Sequence, residues 1–127
     1  MSGDTEPAVI GIDHVQLAIP AGGEDDARSF FVGLLGFHEV PKPPLLAARG
    51  GCWFRAGATE VHCGVEEPFQ AARKAHPALR VEGYVALCRR LEAAGLPVTP
   101  NDEIPGVARC HTADPFGNRI ELIDAGG

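Results

Sequence analysis

The chain has no long apolar run, no surplus of basic residues and few aromatics, and each shortage closes off a class of function. No stretch approaches the roughly 20 consecutive apolar residues of a membrane-spanning helix, so no membrane partner is expected. With 17 acidic against 11 basic residues and a formal charge of −6, there is no basic stripe to neutralise phosphates. That argues against nucleic acid and against anionic bilayers. The start, Ser2-Gly3-Asp4-Thr5-Glu6, lacks the basic and apolar regions of a secretory leader, which makes a cytoplasmic protein the expectation. Cys52, Cys63, Cys88 and Cys110 lie far apart and form no CxxC pair. Neither a structural zinc site nor a disulfide scaffold is indicated, and reduced thiols are the default.

What is present fits one core. The 127 residues, 45% hydrophobic, suffice for one domain and not for two. That domain is expected over residues 8–127, after a flexible N-terminus at 1–7. Ile12, Val15, Leu17 and Ile19 alternate with His14 and Gln16, which is strand periodicity ended by Pro20. The acids Glu24, Asp25 and Asp26 suit a helix first turn, and Ala27, Phe30, Phe31, Leu34 and Leu35 recur at helical spacing until Gly36. After a strand at 37–40, Pro41-Lys42-Pro43-Pro44 reads as a turn or extended loop. Strands at 51–55 and 59–65 follow, joined by a tight hairpin at Ala56-Gly57-Ala58.

The second half repeats this order. A strand over His76 to Val81 precedes a helix from Tyr84 to Ala94, carrying Val85, Leu87, Cys88 and Leu91 and capped by Gly95. A brief strand at 97–99 and a loop to Gly106 lead to strands at 107–113 and 118–124. The expected fold is therefore α+β: two paired βαβββ modules, at about 8–66 and 75–125, forming a curved, partly open mixed sheet around a cavity. Phe69 to His76, with Arg73 and Lys74, reads as a solvated linker between them.

The repeat places polar groups at matching points. His14 and His76 fall in the first strand of each module, His62 and Glu121 in the last. Strand side chains alternate between faces, so Val15, Leu17 and Ile19 cover the helix while His14 and Gln16 point to the cavity. His62 and Glu121, each flanked by apolar residues, point the same way. Imidazoles and a carboxylate so gathered suit one divalent metal ion (Fe, Mn, Zn, Ni or Co) with coordination positions left open for substrate or water. Glu121 stands out, because a carboxylate between Ile120 and Leu122 is costly to bury without a partner.

Hairpin parity adds neighbours: Trp53 opposite His62, His111 opposite Glu121, and Cys52 opposite Cys63 on the helix side. His111 is then a candidate proton carrier or hydrogen-bond partner of Glu121. Arg80 and Arg109 fall on the cavity side, suited to a substrate carboxylate or phosphate. Gln16 is placed to orient substrate or water.

Asp13-His14-Val15-Gln16-Leu17, the run Phe30 to Gly36-Phe37, and Asp114-Pro115-Phe116-Gly117-Asn118-Arg119-Ile120-Glu121-Leu122 together resemble the glyoxalase, bleomycin-resistance and extradiol-dioxygenase (vicinal oxygen chelate) superfamily. The resemblance runs from about Ile10 to Asp124. It implies metal ligands from the first and last strands of each module, which here are His14, His62, His76 and Glu121. Glyoxalase I typically has a glutamate where His62 stands, which weakens a lactoylglutathione lyase assignment. The His14, His76 and Glu121 subset is more similar to extradiol dioxygenases and fosfomycin-modifying proteins, although no counterpart of the extradiol acid–base pair is found.

The resemblance also implies a homodimer, in some relatives with module exchange, which would join His14 and His62 of one chain to His76 and Glu121 of another. The expected activity is that of a metal-dependent lyase, isomerase, dioxygenase or thiol transferase acting on a small molecule. Two alternatives stand beside it. One is a drug-binding protein of the bleomycin-resistance type, with Trp53 and the Phe37 region as a stacking wall. The other is a relative whose site is vestigial.

Overall fold

The computed structural model describes residues 6–126, so most of the expected N-terminal segment, residues 1–5, lies outside the described part, as does Gly127. Two βαβββ modules follow each other. The first consists of β1 (Val15–Ile19), α1 (Glu24–Arg28), β2 (His38–Val40), α2 (Pro44–Ala47), β3 (Cys52–Ala56) and β4 (Thr59–Val65). The second consists of β5 (Ala78–Val81), α3 (Tyr84–Ala93), β6 (Thr99–Pro100), β7 (Arg109–Ala113) and β8 (Arg119–Asp124). Each module builds its own four-stranded mixed sheet, in the orders β1-β4-β3-β2 and β5-β8-β7-β6. In each, the first and last strands pair parallel and the other pairings are antiparallel.

Alternation explains the core. Leu17 and Ile19 on β1, Cys52 and Phe54 on β3, Val61 and Cys63 on β4, and Ile120 and Leu122 on β8 are all buried. Against them lie Ala27, Phe30 and Phe31, and each fully buried phenylalanine contributes about 1.5–3 kcal/mol. The first helix does not stay α-helical. Ser29–Leu34 form a π-helical turn, with Leu35 N–H donating to the Phe30 carbonyl at 3.0 Å. The wider turn narrows the angle between consecutive side chains and lets adjacent Phe30 and Phe31 both face the core.

Glu24 accepts the Gly51 N–H at 2.7 Å and so ties the first helix to the entry of β3. Gly51 has φ +83°, and a Cβ there would meet the Cys63 carbonyl oxygen at 2.2 Å, so only glycine fits.

Asn118 joins the modules. Its Nδ2 donates to the Ala18 carbonyl of β1 and to Asp114 Oδ2, both at 2.8 Å, while its Oδ1 accepts the Ala72 N–H at 2.9 Å. Arg90 on α3 adds a second tie by donating to the Leu34 carbonyl at 3.0 Å.

Several expectations need correction. β1 begins at Val15, which leaves His14 outside the strand and Ile12 83% exposed, and β5 begins at Ala78, which leaves His76 in the preceding loop. The reason is pairing: β1 has one partner, β4, and their register starts at Val15 opposite Val61. Pro44 opens the short helix α2, because a proline in the first helical turn lacks an N–H that would go unbonded anyway. Val85 is exposed, and Phe37 is buried edge-on against Phe31, bordering the groove that holds Arg80 and not the hollow beside Trp53. In the linker, Arg73 and Lys74 are solvated as expected, but Phe69 packs edge-on against Phe116.

Candidate metal centre

The hairpin registers deduced from parity are those observed: Trp53 pairs with His62, Cys52 with Cys63 and His111 with Glu121. In the second module this register builds a compact polar cluster. Glu121, 7% exposed at the middle of β8, is met from three sides. His76 Nε2 lies 3.0 Å from its Oε1, His111 Nε2 lies 3.7 Å from the same oxygen, and Arg109 donates to Oε2 at 2.9 Å. Arg109 is held in turn by donating to Asn101 Oδ1 at 2.9 Å. The Arg109 guanidinium, and after it His76, hold the Glu121 carboxyl below the usual carboxylate range. Burial, reinforced by Arg119, pushes the His111 imidazole below its ordinary value and favours the neutral ring that a metal ligand requires.

The tautomer of His76 bears on what fits here. Its Nδ1 lies 2.8 Å from the Lys74 carbonyl, which can only accept, so Nδ1 carries a proton. A neutral His76 then aims the lone pair of Nε2 at a carboxylate oxygen, and two acceptors at that range require a cation between them, either a proton or a metal ion. One ligand atom from each of His76, His111 and Glu121 lies within 4.8 Å of the others. Neighbouring donors on one ion with bonds of about 2.1 Å stand roughly 3.0–3.4 Å apart; the His76–Glu121 contact at 3.0 Å has that spacing, and the His111–Glu121 contact at 3.7 Å is wider. The backbone bond at Nδ1 is also the outer support that metal-bound histidines use. The residues fit a divalent ion.

The first module arranges its groups differently. His62 is sandwiched between Trp53, with centroids 4.0 Å apart, and His14, at 3.9 Å. Its Nε2 contacts Glu60 Oε2 at 2.6 Å, and Arg55 donates to the other Glu60 oxygen at 2.8 Å. His62 and then Arg55 lower the Glu60 carboxyl. His14 Nδ1 pairs with Asp13 at 2.9 Å. Of the four expected ligands, the structure thus brings His76 to Glu121 and His14 to His62. Among the described residues, the group that could hold an ion contains neither His14 nor His62. His14 and His76 do share the wall of a cavity of about 660 Å³ between β1 and β5, with Gln16 and Glu60.

Gln16 also lies over Gly64, where a Cβ would meet its Nε2 at 2.5 Å. With Trp53, Lys42 and Arg49 it lines a smaller hollow of about 200 Å³ beneath α2. Arg80 is exposed in a groove lined by Leu34, Leu79 and Leu87, apart from the Glu121 cluster. Sequence reasoning missed Glu60, although it stands two residues before His62 and so on the same strand face. It also missed Lys42 and Arg49, whose loop carries no periodic signal.

Residues 11–122 match the family model of the Glyoxalase/Bleomycin resistance protein/Dioxygenase superfamily. The chain belongs to this superfamily. Among solved structures, it resembles a glyoxalase family protein from Bacillus anthracis, with 43% identity and TM-score 0.89 over 94% of this chain and 98% of that one. The fosfomycin resistance protein FosX of Listeria monocytogenes shares the fold at 13% identity and TM-score 0.74, covering 94% of this chain and 96% of that one. A glyoxalase/dioxygenase from Nostoc punctiforme does so at 15% identity and TM-score 0.72, covering 97% and 100%. No curated protein matches the chain. Among the described residues, no helix of this superfamily member is long and apolar enough to cross a membrane.

Proposed function

We propose that the protein is a metal-dependent enzyme acting on a small molecule through vicinal oxygen atoms. His76, His111 and Glu121 hold one divalent ion of the Fe, Mn, Zn, Ni or Co group. The observation that carries this reading is the convergence of His76 Nε2 and His111 Nε2 on one oxygen of Glu121. When bound, such an ion supplies Lewis acidity toward substrate oxygens.

The chain's own groups do the rest. Arg109 keeps Glu121 ionised and aimed. His111, the more exposed of the polar residues paired across β7 and β8, is placed to carry a proton as well as to bind. His14 and His62 complete the centre from a second copy whose first module faces this second module, which makes the working form a homodimer. Gln16 and Trp53 then face the substrate. Arg80 stands in a separate groove and could meet only an anionic group reaching beyond the Glu121 cluster, whereas Arg109 is already committed to Glu121 and Asn101.

The test is the metal content of protein purified without chelator or affinity tag, beside a Glu121→Ala variant. The expected result is about one transition metal per chain, with affinity at least ~100-fold weaker in the variant. Diols and α-ketoaldehydes are then the compounds to screen under air and nitrogen. A wild-type chain that takes up no ion on titration would sink this reading. It would favour the second one, a drug-binding protein of the bleomycin-resistance type, whose supporting observation is the hollow beside Trp53.

A further inference from the structure

The face of the first sheet that carries His62 continues into a hollow. Register sets Gln16, His62 and Trp53 side by side across β1, β4 and β3. Gly64, two residues along β4, shares that face. Its missing side chain leaves room there, since a Cβ would meet Gln16 Nε2 at 2.5 Å. Gln16, Trp53, Leu46 and Val65 line the hollow together with Lys42 and Arg49. Among the described residues, no acidic side chain lines it. Glu24, which stands close to Gly50, accepts the Gly51 N–H instead.

Among the described residues, Arg28, Arg55 and Arg109 each pair with a carboxylate, whereas Lys42 and Arg49 pair with none. Lys42 Nζ donates to the Gly50 carbonyl, and prolines on both sides stiffen the backbone around it. Arg49 N–H donates to the Leu46 carbonyl at 3.1 Å. The backbone under both cations is thus set in advance, and both keep N–H groups for a ligand. Size and lining then select that ligand. The hollow of about 200 Å³ has room for roughly six waters at about 30 Å³ each, so it takes one end of a molecule. Leu46, Val65 and the Trp53 indole favour a flat, partly apolar body over a strongly hydrated tetrahedral dianion. We infer that Lys42 and Arg49 bind the carboxylate of a small, flat substrate that lies along Trp53 and turns its remaining oxygens toward His62. Arginine supplies a planar fork that matches a carboxylate, and lysine adds a point charge. This names a substrate class for the proposed enzyme, and it rests on that reading only in calling the ligand a substrate.

Benzoate titration into metal-free protein tests this, read by the indole N–H resonance of Trp53, the chain's sole tryptophan. Benzoate is expected to shift that resonance saturably, and benzamide, its neutral counterpart, to bind at least ~10-fold more weakly. Lys42→Met and Arg49→Gln should each weaken benzoate by about tenfold, while Arg73→Gln in the solvated linker leaves it unchanged. Arg49 is exposed, so its variant folds even if the Lys42 variant does not. Gly64→Ala should also weaken benzoate, because the new Cβ drives the Gln16 amide from its place. The titration needs no metal and so separates the two readings. A chain that binds benzoate in this way but takes up no ion keeps the carboxylate site and loses the metal centre. A chain that takes up an ion but shows no benzoate-dependent shift loses the carboxylate site alone. Equal binding of benzamide, tighter binding of phenylphosphonate, or unchanged affinity in Arg49→Gln would each overturn the assignment.

Discussion

The two modules share a backbone plan and differ in where they put the carboxylate. On β8 the carboxylate of Glu121 occupies the buried centre, and the cationic or ionisable groups His76, His111 and Arg109 gather around it. On β4 the buried centre is an imidazole, His62, and the carboxylate of Glu60 sits two residues nearer the open end with Arg55. A central carboxylate in a site of low dielectric draws positive groups and can exchange their protons for a metal ion. A central imidazole between flat neighbours stacks instead, here with Trp53 on one face and His14 on the other. The same register therefore yields a donor cluster in one half and a stack of rings in the other, through the exchange of carboxylate for imidazole at the strand centre and the Lys74 carbonyl that orients His76.

The largest effect on this pair of modules should come from the residue that joins them. Asn118 is 1% exposed and serves both halves through Ala18, Ala72 and Asp114. Asn118→Ala leaves buried partners unsatisfied on each side and should cost about 2–4 kcal/mol of unfolding free energy by urea denaturation. A loss below about 1 kcal/mol would mean that the modules hold together without it.

A smaller effect separates the matching histidines. His76→Ala should lower divalent-metal affinity by about 10- to 100-fold or more at any protein concentration. His14→Ala should do so only where the protein is dimeric, because the chain's own His14 is stacked on His62 and takes no part in the group around Glu121. Metal titration at concentrations above and below dimer dissociation distinguishes the cases. A concentration-independent loss in His14→Ala would instead place that residue on the ion from across the cavity it shares with His76 in the same chain.

The extent to which this was legible in the sequence follows the physics of each element. Hairpin parity was enough to pair Trp53 with His62 and His111 with Glu121, because tight turns fix register and register fixes faces. The strand assignment of His14 and His76 failed because alternation records only which side chains could share a face, whereas a strand also needs a partner along its length. The π-helical turn was hidden because Phe30 and Phe31 fit an α-helical stripe nearly as well. The role of His76 was the least legible of all: its orientation depends on a hydrogen bond to the Lys74 carbonyl, a backbone group that no residue pattern advertises.

The smallest expected effect concerns pH, and it again sets Glu121 against Glu60. Both carboxyls are lowered in the fold, Glu121 chiefly by Arg109 and Glu60 chiefly by His62. Such contacts contribute stability above the ordinary carboxylate value of about 4.3 and lose it as pH falls through the lowered folded value. In metal-free protein, Glu121→Gln should therefore cost about 1–2 kcal/mol at neutral pH, with the gap to wild type closing in acid. Glu60→Gln should show the same sign and a smaller gap, since water screens the pair it forms with Arg55, whose side chain is 51% exposed. Urea denaturation from pH 7 down to pH ~3 measures both. Equal gaps would mean that the central position of Glu121 in its sheet confers no electrostatic advantage over the open end of β4. The ordering of the two modules by their carboxylates would then have to be abandoned.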